Sequence, residues 1–258
     1  MRTIVFGNWK GGVGKTSVSA NLACAFAKNF PELRVLVIDA DKQGNISARF
    51  GADSSKPNLK NILVDGCSAD NTIQATQYEN IDVIASGPSL LEANLSILKE
   101  TDRRQDNILE LALEPIKGRY DLCIIDTPPD FNITVLNVLN LCDDLIGITT
   151  LTRDSIEGIR QLRKNVINCF NEALGRNLKL RGILVNMYKA NDESDRYIKE
   201  LQKDGFNVFE SYLKSARSTA EQLQIATNQQ KSIFDIYPNC SFARGINNFL
   251  LELIGGEK

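Results

Sequence analysis

The amino-acid sequence predicts an α/β protein, a single doubly wound domain over residues 1–258 built on a mostly parallel sheet. Three observations predict it. Short β-branched runs alternate along the chain with longer stretches of helical period. The runs are almost continuously apolar, the pattern of strands covered on both faces. A glycine-rich turn joins the first run to the first helix, and no Pro-, Ser- or Gly-rich linker interrupts the alternation.

In chain order, the predicted strands are Thr3–Gly7, Arg34–Asp39, Ile81–Ser86, Tyr120–Asp126, Asp144–Thr149, Arg181–Asn186 and Asn207–Tyr212. Helix starts are signalled by capping boxes at Ser89–Glu92, at Asp154–Glu157 in an aspartate form, and at Ser218–Glu221. Ala52–Asn80 is polar and turn-rich and reads as an excursion from the core.

Composition excludes several classes of chemistry. The chain has 258 residues, 43% hydrophobic and 24% charged, with a formal net charge of -2. Nothing global therefore attracts it to nucleic acid, and any such contact needs a local basic patch. There is no histidine, which removes the commonest general base and the commonest zinc ligand. The six cysteines include no C-x-x-C pair and read as free thiols of a cytoplasmic protein. No run approaches ~20 apolar residues, so no membrane-spanning helix is expected.

The stretch Asn8-Trp9-Lys10-Gly11-Gly12-Val13-Gly14-Lys15-Thr16-Ser17 follows an apolar strand and opens a helix. Gly11, Gly12 and Gly14 let the backbone turn sharply and aim N–H groups at an anion. The positive end of a helix starting near Lys15 adds to that field. Lys15 is placed to reach the β- and γ-phosphates and the Thr16 hydroxyl to ligate Mg²⁺. The strict G-x-x-x-x-G-K-[ST] pattern is not met, because Trp9 stands where its first glycine would fall. The stretch reads K-G-G-x-x-K-[ST], with an extra lysine at Lys10. This resembles the deviant Walker A motif of the ParA/Soj/MinD superfamily of P-loop NTPases. The resemblance implies ATP as substrate, bound by Lys10 to Ser17 with Val13 among them. It also implies a homodimer in the ATP state, in which Lys10 reaches the partner's nucleotide.

Two acidic strand ends extend the resemblance. Asp39-Ala40-Asp41-Lys42-Gln43 resembles the D-x-D-x-Q segment of that family, with Lys42 in place of the usual proline. By that resemblance Asp41 orients the attacking water and Asp39 supports the Mg²⁺ hydration shell. The apolar strand ending at Asp126 is a Walker B arrangement, which gives Asp126 to the metal directly or through water. Asp126-Thr127-Pro128-Pro129 resembles the family's switch II. Asn186, at the end of a later strand, resembles the asparagine that reads the adenine edge.

The superfamily drives several outputs. Lys214 and Arg217, beside the start of a late helix, resemble the basic segment of ParA proteins that binds DNA without sequence preference. Lys231 and Arg244 extend that patch. The resemblance thus implies plasmid or chromosome partitioning with a centromere-binding ParB-type partner, and a nucleoid-associated, cytoplasmic location. The chain starts nine residues before Lys10, so the N-terminal helix-turn-helix domain of some plasmid relatives is not expected. A MinD-like membrane-cycling role is the alternative. It calls for a basic amphipathic C-terminal helix, whereas Asn247–Lys258 has an apolar stripe without a basic face, so no membrane partner is expected and a helix packed on the core is. The absence of cysteines in Asp126–Asn132 argues against an iron–sulfur role.

Overall fold

A computed structural model of the chain describes residues 1–99, 102, 104–214 and 217–255, with Arg217 described by its backbone alone. Among the described residues the strands are β1 Arg2–Gly7, β2 Val35–Asp39, β3 Ile73–Ala75, β4 Ile81–Ile84, β5 Leu122–Asp126, β6 Asp144–Thr149, β7 Leu180–Tyr188 and β8 Val208–Lys214. The helices are α1 Lys15–Asn29, α2 Asn45–Arg49, α3 Leu59–Leu63, α4 Leu90–Lys99, α5 Ile108–Leu113, α6 Ile133–Leu141, α7 Arg153–Gln161, α8 Asn168–Leu174, α9 Asp192–Lys203, α10 Arg217–Asn228, α11 Ile233–Ile236 and α12 Ser241–Gly255. A π-helical turn, Leu162–Ile167, joins α7 to α8.

The strands form one sheet in the order β3-β4-β2-β5-β1-β6-β7-β8. The pairs β2–β4, β2–β5, β1–β5, β6–β7 and β7–β8 run parallel, and β3 runs antiparallel to β4. The doubly wound, mostly parallel expectation holds. Every residue of β2, β5 and β6 is buried, as continuous apolar runs require of strands covered on both faces.

The chain divides into two compact units. The first comprises Met1–Val5 and Phe26–Asp143. Its buried residues include Leu36, Ile38, Val83 and Ile124 of the strands, Leu59, Ile62 and Leu63 of α3, and Leu109 and Leu113 of α5. Arg34 ties strand ends here, its backbone N–H donating to Asp121 at 2.8 Å and its guanidinium to Asp82 at 2.6 Å. The reading of Ala52–Asn80 as an excursion is corrected. Its apolar residues Leu59, Ile62 and Leu63 are at most 1% exposed, and Ile73–Ala75 adds a strand to the sheet. The polar residues misled because they bond locally: Asn58 and Asn61 cap α3 reciprocally, and Gln74 exchanges hydrogen bonds with Asp53.

The second unit comprises Phe6–Ala25 and Asp144–Lys258. Leu151, Ile156, Ile159, Ile183, Val185, Ile198, Leu201 and Phe206 form one buried cluster. As predicted, the C-terminal helix packs on its own unit. Phe242, Ile246, Phe249 and Leu253 of α12 are buried, with Phe249 edge-on to Phe209 of β8 at 5.0 Å. Burying one such phenylalanine contributes about 2–3 kcal/mol. β8 is an edge strand and alternates in burial. The carboxylate of Glu252 on α12 accepts the Glu210 and Ser211 N–H groups at 2.8 and 2.9 Å, which satisfies donors an edge would leave open.

Two cap expectations are corrected. Helix α7 is capped by Thr152, whose hydroxyl accepts from Ser155 N, so Asp154 is already helical. Thr152 has extended backbone angles, the geometry an N-cap needs. Helix α10 already includes Arg217, so Ser218 is not its cap. Helix α4 does start directly after Ser89, as expected. All six cysteines are free, and burial pushes the Cys123 thiol up from its ordinary range, as befits an apolar strand residue. Among the described residues, no cluster of acidic and cysteine side chains suits a metal ion by itself, and no helix is long and apolar enough to cross a membrane.

Candidate functional site: a phosphate loop and two buried strand-end carboxylates

In the second unit, β1 hands the chain at Gly7 to the loop Asn8–Gly14, and α1 opens at Lys15. Gly12 and Gly14 stand at φ +76° and +94°, a region L side chains resist; Gly11 makes its turn without a positive φ. A Cβ at Gly14 would lie 2.3 Å from Asn186 Nδ2, so the close approach demands glycine a second time. The first turn of α1 holds no acidic residue, which leaves its positive end available to an anion. Lys15 is buried, and its Nζ donates to the Asn8 carbonyl at 3.3 Å. Thr16 and Ser17 follow in the same turn, both half-buried.

Asn8, which the motif analysis left without a role, organises this loop. Its Oδ1 accepts the Lys10 N–H at 2.7 Å, and its Nδ2 donates to the Ile148 and Ser155 carbonyls at 2.6 and 3.1 Å. Gly158 of α7 makes the approach possible: a Cβ there would lie 2.2 Å from Asn8 Oδ1 and 3.0 Å from Lys10 N. The signal in the sequence was an asparagine two residues before the extra lysine, the spacing of an Asx turn. The partner glycine, far along the chain, gave none.

Lys10 reaches outward. Its Nζ pairs with Asp154 of α7 at 3.4 Å, with side chains 51% and 73% exposed. Asn186 is buried, its Nδ2 donating to the Val13 carbonyl at 2.8 Å and its Oδ1 accepting Met187 N–H at 2.9 Å. The expected base-reading asparagine therefore braces the phosphate loop. Trp9, the chain's one tryptophan, is 40% exposed beside Lys10.

In the first unit, Asp39 and Asp126 are register partners at the C-terminal ends of β2 and β5, and both are fully buried. Asp39 Oδ2 accepts Ser47 N–H at 3.0 Å and Ser47 Oγ–H at 2.6 Å, while Oδ1 accepts Asp41 N–H at 3.0 Å. Burial raises its pKa above the ordinary aspartate range, and those donors oppose the rise without cancelling it. Ser86 N–H in turn donates to Ser47 Oγ at 3.0 Å, and Ser86 Oγ–H to the Asp41 carbonyl at 2.5 Å. Ser86 was missed because it lies far from the aspartates in sequence, and Ser47 because a nearby serine carries no distinguishing pattern. Asp41 is partly exposed and turns the next residues, its Oδ1 accepting Gln43 N–H at 3.0 Å. Beyond Asp126 and the two prolines, Asn132 caps α6 by accepting Val135 N–H at 3.1 Å.

The DNA candidates are described in part. Lys214 ends β8 and Arg244 lies on α12, both exposed. Gly245 packs against Leu213, so these cations flank one contact between the two elements. Arg244 spends one N–H on the Asn239 carbonyl at 2.7 Å, and Lys231 is exposed. The Arg217 side chain and residues 215–216 lie outside the described residues.

The donor set fits a triphosphate: two left-handed glycines, a buried ammonium group and a helix start without acid. Two buried carboxylates in register fit a divalent cation, which would neutralise like charges held side by side without water. A glycine-rich loop between a parallel strand and a helix, on a doubly wound sheet whose neighbouring strands end in aspartate, defines a P-loop nucleotide-binding protein. An AAA-domain family model matches residues 1–180. The sporulation initiation inhibitor protein Soj of Bacillus subtilis (strain 168) is 33% identical over 191 residues, 73% of this chain and 74% of Soj. The virulence plasmid ParA family protein pGP5-D of Chlamydia psittaci is 27% identical over 256 residues, 98% and 94% of the two chains. Among solved structures, an ATP complex of a Cyanothece McdA variant superposes with a TM-score of 0.83 at 20% identity, covering 99% and 96% of the chains, a likeness of fold. The chain belongs to the ParA/Soj family of P-loop partition ATPases.

Proposed function

We propose that this protein hydrolyses ATP as a nucleotide-switched homodimer, binds DNA without sequence preference in its ATP state, and moves a plasmid or chromosome with a ParB-type partner. The observation that carries the reading is the phosphate loop: Gly12 and Gly14 in left-handed conformation, Lys15 buried at the start of α1, and Lys10 extended outward to an exposed carboxylate. Lys15 and the loop N–H groups bind the phosphates. Lys10 has no need of so exposed a partner for folding, and its role is to exchange Asp154 for the nucleotide of a second copy.

In the proposed reaction water attacks the γ-phosphorus, the bond to the β–γ bridging oxygen breaks, and ADP and phosphate leave. Asp41, partly exposed at a turn, holds the water; no histidine is required, because phosphoryl transfer depends mainly on positioning and charge neutralisation. Mg²⁺, when bound, neutralises phosphate charge. Thr16 and Asp126 are its proposed ligands. Asp39, whose oxygens already hold three donors, fits contact through water. Asn186 is retained as a candidate for the base edge, which requires it to give up the Val13 carbonyl. Lys214, Arg217 and Arg244 are the candidate DNA contacts. One described observation disfavours the MinD-like alternative: the apolar stripe of α12 is largely buried on its own unit.

The test is ATP turnover measured with neither ligand, with duplex DNA, and with DNA plus the ParB-type protein encoded alongside, together with a salt-dependent DNA titration with and without ATP. Stepwise stimulation and ATP-dependent, salt-sensitive binding are expected. Turnover unaffected by Lys10→Ala, or equal DNA binding with and without ATP, would overturn the reading.

A further inference from the structure

Helix α4 carries a stripe of leucines that its own unit does not cover. Leu91, Leu95 and Leu98 are 53%, 57% and 59% exposed, whereas Leu90, Ala93 and Ile97 are buried. At 100° per residue, the three leucines fall within about 60° of one another on the helix surface, at the 4–3 spacing of a helix–helix seam. Elsewhere among the described residues, large exposed apolar side chains stand singly or as the pair Leu251–Ile254. Single ones are ordinary; a row of three is a surface that excludes water only when another helix lies on it.

The charges beside the row say which helix. Glu92 and Lys99, both exposed, lie together on the flank of the stripe away from the buried face. If a second α4 lies antiparallel with Leu95 against its own copy, Leu91 meets Leu98 of the other chain. Glu92 then stands opposite Lys99, twice over by symmetry. A parallel pairing sets neither charge against an opposite one. We propose that α4 is a self-association surface whose occupant is the α4 of a second copy of this chain, antiparallel and two-fold symmetric. Three leucines cover far less than a standard interface of roughly 800 Å² per partner, so the contact is weak by itself and takes effect where copies are concentrated. It does not rest on the nucleotide-switched dimer.

The test uses the full chain without nucleotide in sedimentation equilibrium over a concentration series. The wild type is expected to self-associate weakly, and Leu95→Glu, a substitution at an exposed position, to reduce the association constant at least ~10-fold with an unchanged circular dichroism spectrum. Glu92→Lys alone and Lys99→Glu alone each set like charges across the seam and lower association. An equimolar mixture of these two variants restores it, because every cross-seam pair in the mixed dimer is again opposite in sign. A strictly monomeric wild type at the highest soluble concentration, a Leu95→Glu protein that associates as the wild type does, or a mixture no tighter than its components would each overturn the proposal. ATP-driven association measured in Leu95→Glu keeps the two dimers apart: its persistence belongs to the phosphate-loop reading, and its absence from the wild type would sink that reading alone.

Discussion

Gly158 offers a test in which the sign of the effect decides. Placing alanine in a helix interior normally stabilises by about 1 kcal/mol relative to glycine. Here the added Cβ would stand 2.2 Å from Asn8 Oδ1, so the carboxamide must retreat by about 1 Å to reach ordinary contact. That retreat weakens the bonds from Lys10 N at 2.7 Å and to the Ile148 carbonyl at 2.6 Å, and Asn8 is buried. A buried polar group losing its partners costs ~1–3 kcal/mol. Overpacking costs ~1–3 kcal/mol more. Set against the helical gain, Gly158→Ala should destabilise by about 1–5 kcal/mol. Urea unfolding measures this as a lower midpoint at unchanged slope. Because Asn8 also orients the Lys10 backbone, nucleotide affinity followed by Trp9 fluorescence should fall with it. Asn8→Ala removes the obstacle, so the double variant should cost clearly less than the sum of the singles. A Gly158→Ala protein as stable as the wild type, or more so, would refute the contact between α7 and the phosphate loop.

Three further outcomes are expected. Asp154→Ala removes an exposed ion pair and should shift stability by no more than about 0.5 kcal/mol, while altering ATP-dependent dimerisation in sedimentation because Lys10 loses its resting partner; an unchanged dimer constant would show that the pair plays no part in switching. Gly14→Ala faces both a positive φ and the Asn186 amide, and should abolish the ATP-induced change in Trp9 emission, as Lys15→Ala should, whereas Asp41→Ala should retain that change and lose turnover. Asp39 has its pKa raised by burial, so its contribution to stability is fully present below the ordinary aspartate value and is lost as pH rises through the raised one. The stability gap between wild type and Asp39→Asn should therefore change across that window and flatten above it. A gap independent of pH would contradict the raised value.

How much of this was legible beforehand varies with the range of the interaction. The phosphate loop was readable because its requirements are local: Gly12 and Gly14 must adopt conformations other residues resist, and Lys15 must follow within one turn. The apolar runs of β2, β5 and β6 were readable because burial on both faces leaves a compositional mark. Ile73–Ala75 left none. Three residues at a sheet edge carry too little pattern, and their status as a strand comes from pairing with β4. The cap of α7 was misplaced by two residues because Thr152 and Asp154 are both good capping types, and only the backbone angles separate them.

The sequence by itself determined the class of protein: a strand, a glycine loop and a helix that bind phosphate through backbone geometry, beside two strands that each end in aspartate. The tertiary structure alone decided which side chains hold those groups in place. Asn8 against Gly158, Asn186 against Val13, and Asp39 against Ser47 are contacts between residues distant along the chain or masked by ordinary composition. Each exists because two elements pack to within a hydrogen bond of one another. Packing distance leaves no trace in a one-dimensional pattern, whereas backbone conformation and burial do.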